Sequence, residues 1–335
     1  MSDNLIFSVD AGKGFTKYAR ALPDGSIDKN KFMTKYTELN ELDNIGLVGE
    51  DSYLIKYKDK QYILGVQGKY DLREQRTKKN EIHRLCALVA ITQMLKEQTS
   101  DGNVNLVISM PSASYKNEIE RKAYEEFYKG EGEVEIEVNN TKYNFKINNV
   151  LSLPESSGFM FKYSELCRGK VAIIDIGHLN INFILLQDNN IVDMITLDEG
   201  GLELESSALD KLETSYEKKI GRDVLIKTLK QGYYEAWGTK VESSVKLIKE
   251  VKEDYVSNII KKASSREINL EEFDKIYFIG GTSLLLRDVI ESNEQLSKTC
   301  EVKDDGQWIT TEGNLVFATA YFSNIEEESD VNAKA

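Results

Sequence analysis

Two acids, each followed by a glycine turn, are the residues whose types and spacing first suggest chemistry. Asp10-Ala11-Gly12-Lys13-Gly14 closes the apolar run from Leu5, and Asp175-Ile176-Gly177-His178 closes the run from Val171. In both, the acid ends a stretch that reads as a buried strand, and a glycine opens the turn after it. Bare backbone N–H groups at such turns can approach an anion closely. A carboxylate aimed at the same place repels phosphate unless a cation lies between them. Two such acids suit a hydrated Mg²⁺, which binds through one or two carboxylates plus phosphate and keeps several waters. Lys13 and Thr16 stand where they could touch phosphate oxygens directly. Either acid alone reads as a turn cap; the pair favours function. Two common phosphate motifs are excluded. Gly12-Lys13, Gly68-Lys69 and Gly169-Lys170 are not followed by Ser or Thr, so there is no P-loop, and the turn at Gly12 lacks the third glycine of the dinucleotide fingerprint.

The elements that must hold these residues repeat along the chain. After Asp10 come an alternating stretch to Arg20 and the turn Pro23-Asp24-Gly25-Ser26; after Asp175 come Phe183–Leu186, the turn Gln187-Asp188-Asn189-Asn190 and a strand from Ile191 to Leu197. One α/β unit used twice is the reading. Between the copies, 52–57 and 61–64 predict a hairpin, 80–96 a helix apolar on most sides, and 104–110 a strand stopped by Pro111. A helix capped by Ser114 carries Tyr115, Ile119, Ala123 and Phe127 at i+4 spacing. A second hairpin spans 134–147, and a short strand, 150–153, stops at Pro154. The second half adds helices through Leu204, Ala208 and Leu212 and from Val241 to Ala263, then a strand, Ile276–Ile279, running into Gly280-Gly281-Thr282-Ser283.

Length and composition bound the reading. The chain has 335 residues, which predicts about two domains. Its net charge is −13, so a basic nucleic-acid footprint is missing, and DNA or an anionic membrane surface should repel it. The longest apolar run, Leu85–Ile91, is seven residues, against about 20 for a membrane span. The start, Met-Ser-Asp-Asn, shows no secretory leader. Three separated cysteines fit a reducing cytoplasm and argue against a disulfide scaffold or zinc site.

Five segments in order resemble the actin, Hsp70 and sugar-kinase superfamily. Residues 10–17 resemble its phosphate-1 segment, 153–158 connect-1, 175–180 phosphate-2, 279–283 the adenosine motif and 313–320 connect-2. Within it, the chain looks most like the ParM-type actin-like proteins that segregate bacterial plasmids. The hairpin from Tyr53 to Gly65 and the segment Lys79-Asn80-Glu81-Ile82-His83 are similar to their small subdomain and following helix. The resemblance implies an α/β actin-like ATPase fold: two duplicated RNase H-like domains with a nucleotide cleft between them. Domain I would be 1–165, with a small subdomain about 34–75 and a C-terminal helix, 314–325, returning to it. Domain II would be 166–313, and 326–335 a flexible acidic tail.

The resemblance also implies roles. Gly12, Lys13, Gly14, Phe15, Thr16, Lys17, Gly177, His178, Asn180, Gly280, Gly281, Thr282 and Ser283 would contact ATP or GTP. Asp10 and Asp175 would hold Mg²⁺ through water. Glu155 stands where the family orients the attacking water, and a carboxylate there could accept its proton; on sequence alone it serves equally as an acid favouring a helix N-terminus. His178 departs from the Gly, Ser or Thr usual at its position and reads as a solvated loop histidine. Glu203, Ser207 and Lys211 on one helix face, and Arg73, Arg76, Lys78 and Lys79 before another helix, read as solvated surface.

The function implied is a nucleotide-dependent polymerising ATPase of the bacterial cytoplasm. Its partners would be itself, head to tail, and a DNA-binding adaptor of the ParR type; direct nucleic-acid or membrane binding is not expected. A small-molecule, sugar-type kinase is the alternative on the same fold, although the cysteine-rich zinc motif of many short sugar kinases is missing. A nucleotide-gated binding module is third, weakened by the lack of a substrate-binding domain after connect-2.

Overall fold

The computed structural model describes residues 5–40, 46–72, 77–96 and 102–334, with side chains through 325; Arg73 and Arg76 of the basic cluster lie outside the described residues. The chain divides into two units, one of Met1–Tyr163 with Trp308–Ala335 and one of Ser164–Gln307.

In the first unit, β1 (Leu5–Ala11) and β2 (Phe15–Ala21) pair antiparallel about the first glycine turn, and β3 (Ile27–Met33) adds to β2. The strands β4 (Lys35–Leu39), β5 (Ser52–Tyr57), β6 (Lys60–Gly65) and β7 (Tyr70–Asp71) form one end of the sheet. Helix α1 (Glu81–Leu95) starts at Asn80, whose side chain accepts from the His83 N–H. Strand β8 (Gly102–Met110) runs parallel to β1. Where one helix was expected from Ser114, there are two: the single turn α2 (Ser112–Tyr115), and α3 (Glu118–Lys129), which starts afresh at Asn117. The Asn117 side chain accepts from the N–H groups of Ile119 and Glu120, and so satisfies two orphan donors. The new start rotates the inner face. Tyr124 and Tyr128 are buried, and Ile119 is 80% exposed. After β9 (Glu133–Val138), one strand, β10 (Thr141–Pro154), replaces the two expected, crossing an irregularity between Ile147 and Asn149. The short α4 (Gly158–Lys162) follows.

The second unit restarts with the antiparallel strands β11 (Lys170–Ile176), β12 (Ile181–Gln187) and β13 (Asn190–Leu197). Then come α5 (Gly201–Tyr216), α6 (Arg222–Gln231), the hairpin β14 (Glu235–Ala236) and β15 (Thr239–Lys240), and α7 (Ser243–Ser265). Strand β16 (Lys275–Ile279) lies parallel to β11; α8 (Gly281–Glu291) follows, and β17 (Cys300–Val302) lies parallel to β16.

The two sheets repeat one plan. The order β13-β12-β11-β16-β17 matches β3-β2-β1-β8-β10 within the ten-stranded sheet of the first unit. The strand senses match as well: two antiparallel pairings, then two parallel. Asp10 and Asp175 therefore occupy equivalent places near the ends of β1 and β11.

Helix α9 (Ile309–Lys334) belongs to the first unit, and its backbone continues as helix through 326–334. Residues of β1 alternate between two faces. Phe7 and Val9 join α1 in one core; Ile6 packs with Val107, Leu153, Ala318 and Phe322 in another, on the α9 side. Buried Glu312 of α9 takes ion pairs from Lys29 and Lys162. Helices α4 and α9 meet at glycines: a Cβ on Gly313 would fall 1.8 Å from the Gly158 carbonyl oxygen. No helix among the described residues is long and apolar enough to cross a membrane.

Candidate functional site

The two glycine turns close in the same way. The Gly12 N–H donates to the Phe15 carbonyl at 3.1 Å, and the Gly177 N–H donates to the Asn180 carbonyl at 3.0 Å. A side chain at Gly12 would collide with that carbonyl, since its Cβ would lie 2.6 Å from the Phe15 oxygen. The chemistry of the first loop is set by what surrounds Asp10. Register places Asp10 opposite Lys17, whose Nζ lies 3.7 Å from Oδ2. A second cation comes from the segment before α1: Lys78 Nζ lies 3.2 Å from Asp10 Oδ1 and 2.6 Å from Glu155 Oε1. Lys78 is 5% exposed, so this is a buried ammonium bridging the buried Glu155 carboxylate and the half-buried Asp10 carboxylate.

The protein holds that bridge from several sides. The Tyr128 hydroxyl donates to the Lys78 carbonyl at 2.9 Å, and the Tyr124 hydroxyl donates to the Ser109 carbonyl at 3.0 Å. Glu155 follows β10, with its N–H donating to the Met110 carbonyl at 2.8 Å. Burial opposes ionisation of Asp10, but the Lys78 and Lys17 cations outweigh it and hold the carboxyl below its usual range. Burial likewise opposes the Lys78 charge, and Glu155 and Asp10 outweigh it, so Lys78 stays protonated above its ordinary range.

His83 lies one turn into α1, buried. Its Nδ1 is 2.7 Å from Asn80 Nδ2, so Nδ1 accepts and Nε2 carries the proton; Nε2 finds no partner among the described residues. Burial first, then Lys78 and Lys13, push its pKa down to about 3.

In the second unit, the Gly177 turn sits on the start of α5. The N–H of Gly201 donates to the Gly177 carbonyl, and that of Leu202 to the His178 carbonyl. Gly200 must be glycine, because a Cβ there would lie 2.7 Å from the backbone of 178–180. Gly280, at φ 92, brings the loop after β16 against Asp175; a Cβ on it would stand 2.3 Å from Asp175 Oδ1. The Thr282 hydroxyl donates to the Gly177 carbonyl at 3.1 Å and so ties the two loops together.

Asp10, Lys17 and Glu155 thus gather in the first unit, and Asp175, Gly177, Gly280 and Thr282 in the second. Three expected contacts are placed otherwise. Thr16 is fully buried with its hydroxyl 3.0 Å from that of Thr34, so it faces the core. The buried Ser283 hydroxyl, in α8's first turn, donates back to the Ile279 carbonyl at the end of β16. His178 is not simply solvated: its Nδ1 lies 3.4 Å from Glu205, which also pairs with Arg222 at 3.1 Å. Lys78, expected on a solvated loop, is a correction of the same kind. Charge alone grouped it with its neighbours, and the only local signal was its position just before a capped helix. On α5, Glu203 accepts from the Gly200 N–H, and Lys211 pairs with Asp254. A groove of about 500 Å³ between α5 and α7, lined by Lys211, Thr214, Ser243 and Leu247, lies toward the opposite end of α5 from the Gly177 turn.

Among the described residues no three His, Cys, Asp or Glu side chains converge as a metal cage. Within its own unit, each of Asp10 and Asp175 is a carboxylate beside a turn closed to side chains, a donor type suited to a hydrated cation.

Residues 8–158 match the family model described as the N-terminal domain of actin like proteins. Among solved structures, an Alp12 filament structure is similar at 28% identity and TM-score 0.70, over 96% of this chain and 99% of that one. A 15-stranded ParM filament from Clostridium botulinum is similar at 15% identity and TM-score 0.69, over 95% and 99%. Ta0583, an archaeal actin homolog in complex with ADP, is similar at 16% identity and TM-score 0.68, over 95% and 99%. No curated protein matches in a sequence search. The chain has the actin-like fold, and its likeness is to actin-like filament proteins of the ParM and Alp kind.

Proposed function

From an actin-like fold with two equivalent acid–glycine turns, we propose a nucleoside triphosphatase that assembles head to tail into filaments. The observation that carries the catalytic half is the buried Asp10–Lys78–Glu155 arrangement beside the first glycine turn. The filament half rests on the likeness to the Alp12 filament structure along nearly the whole of both chains. By the family resemblance, such filaments would move plasmid DNA through a DNA-bound adaptor of the ParR type, which the net charge of −13 makes necessary.

The roles follow from the chemistry. Phosphoryl transfer needs positioning and charge neutralisation more than covalent help. The N–H groups of the Gly12–Gly14 and Gly177–Asn180 turns, with Lys13 and Lys17, would take phosphate oxygens. Asp10 and Asp175 would hold Mg²⁺ through water, and the metal would supply neutralising charge to the phosphates. Gly280 and Gly281 would admit the nucleotide backbone-close, at a helix N-terminus that favours negative charge. Glu155 would orient the attacking water and accept its proton. Lys78 would hold that carboxylate in place through their ion pair. Thr16 and Ser283 have no phosphate role in this reading, because their hydroxyls are committed inside the fold.

The test is phosphate release measured alongside light scattering and pelleting, with Mg-ATP and Mg-GTP. Glu155→Gln should lower turnover by about 10²–10⁴-fold and leave nucleotide affinity within a fewfold. Normal turnover in that variant removes Glu155 from the mechanism. Phosphate release only upon addition of a sugar or other acceptor, with no assembly, moves the reading to the kinase.

A further inference from the structure

Trp237 takes no part in the site above. It is the first of two residues, Trp237-Gly238, that join β14 to β15. Both stand at positive φ, 53 for Trp237 and 73 for Gly238, the backbone of a type I′ hairpin turn. That turn favours Asn-Gly, and a bulky residue at its first position is an outlier. The indole is also 100% exposed. Large aromatic side chains are rarely left wholly in water, and nothing in the second unit offsets either cost. The chain's other tryptophan, Trp308, is half-buried beneath Lys29 and Lys31.

The base of the hairpin is firm. Tyr234 is buried and stacked on Tyr216 at 5.3 Å; its N–H donates to Ser244 Oγ at 2.7 Å, and its carbonyl accepts from Val241. Lys227 of α6 pairs with Glu235 at the root of β14. The indole is thus presented on an anchored pedestal. The cations around it are largely neutralised, Lys219, Arg222, Lys227 and Lys240 pairing with Glu213, Glu205, Glu235 and Glu242, so the bare indole is the feature left for a partner.

We infer that the Trp237 hairpin is an assembly contact, its indole inserting into the surface of a second copy of this chain. This rests on the filament reading above. A bare indole on an anchored, preorganised projection offers another copy an apolar anchor at little ordering cost. A projection on one copy and a receiving surface on the next make a head-to-tail contact that need not close. Trp is the side chain most enriched at contact hot spots.

The experiment uses the full chain with Mg-nucleotide. Trp237→Ala should raise the concentration needed for pelleting and scattering about tenfold or more, with far-UV circular dichroism and the nucleotide turnover of the dispersed protein unchanged. In a Trp308→Phe background, Trp237 is the sole indole; its emission should shift to the blue and resist acrylamide quenching on assembly. Where Trp308→Phe fails to fold, the difference spectrum between the native chain and Trp237→Phe reads the same change. Assembly of Trp237→Ala at the native threshold, with unshifted Trp237 emission, overturns the inference and leaves the filament reading standing. Failure of the native chain to assemble with either nucleotide overturns the filament reading, and this inference with it.

Discussion

Removing the Lys78 ammonium leaves Glu155 without the cation that pairs it and Asp10 with Lys17 alone. Breaking a buried pair on one side costs about 3–5 kcal/mol, so Lys78→Met should lower the melting temperature by roughly 6–20 °C. The sign of its pH dependence is specific. In the native protein Asp10 titrates below its unfolded value, so its contribution is complete above about pH 4 and fades as pH falls through the lowered value. Without Lys78, Asp10 loses the larger of the two cations that offset its burial and takes a proton more readily. The deficit of Lys78→Met should therefore be smaller at pH 5 than at pH 7.5, as differential scanning calorimetry at the two values would read. His83 works the other way from a paired histidine. Its pKa is pushed down to about 3, so the unfolded chain takes a proton below about pH 6.5 that the folded chain refuses. Stability then falls as pH drops from about 6.5 to 3, by up to roughly 1.4 kcal/mol per unit. His83→Asn should flatten that slope in urea unfolding measured at pH 7 and pH 5; an equal slope in both proteins would show that His83 does not carry it.

At the scale of elements, α4 and α9 cross in backbone contact at glycines. Neither helix can carry a side chain at the crossing: a Cβ on Gly158 would lie 2.4 Å from the Thr310 carbonyl oxygen, and one on Gly313 nearer still to Gly158. The obstacle is backbone, which cannot swing aside as a side-chain tip can. Gly313→Ala should cost about 1–3 kcal/mol through forced displacement and lower the melting temperature by several degrees. Gly49→Ala, where a Cβ meets open space, should leave it unchanged. Some elements were legible in the sequence because their signals are local. Periodicity and the Asn80 cap mark α1, and alternation marks β5 and β6. The division between α2 and α3 was missed because Ser114 and Asn117 are both good caps, and only packing decides between them. Asn117 won because its start buries Tyr124 and Tyr128, the residues that hold Ser109 and Lys78 in place.

Over the whole molecule, the repeat was readable from two short Asp-x-Gly turns because each ends a buried strand, and the strand order of the two sheets repeats around them. The joining of β9 to β5, which extends the first sheet to ten strands, was not readable, since that pairing links residues far apart with no motif to mark it. The candidate site divides along the same line. The acids and glycines announce themselves by local turn chemistry. Lys78, Glu205 and the buried tyrosines matter through distant partners, and a single sequence shows only their types. The first unit is also discontinuous, its last helix following the whole of the second unit. On the ribosome, β1 and β8 emerge long before α9 does. At about 5–20 residues per second, the sheet face that holds Ile6, Val107 and Leu153 waits roughly 8–33 s after Leu153 is made for Ala318 to begin covering it. The second unit can finish folding in that interval while the first cannot. The nascent chain therefore carries an uncovered apolar sheet face through about half of its synthesis.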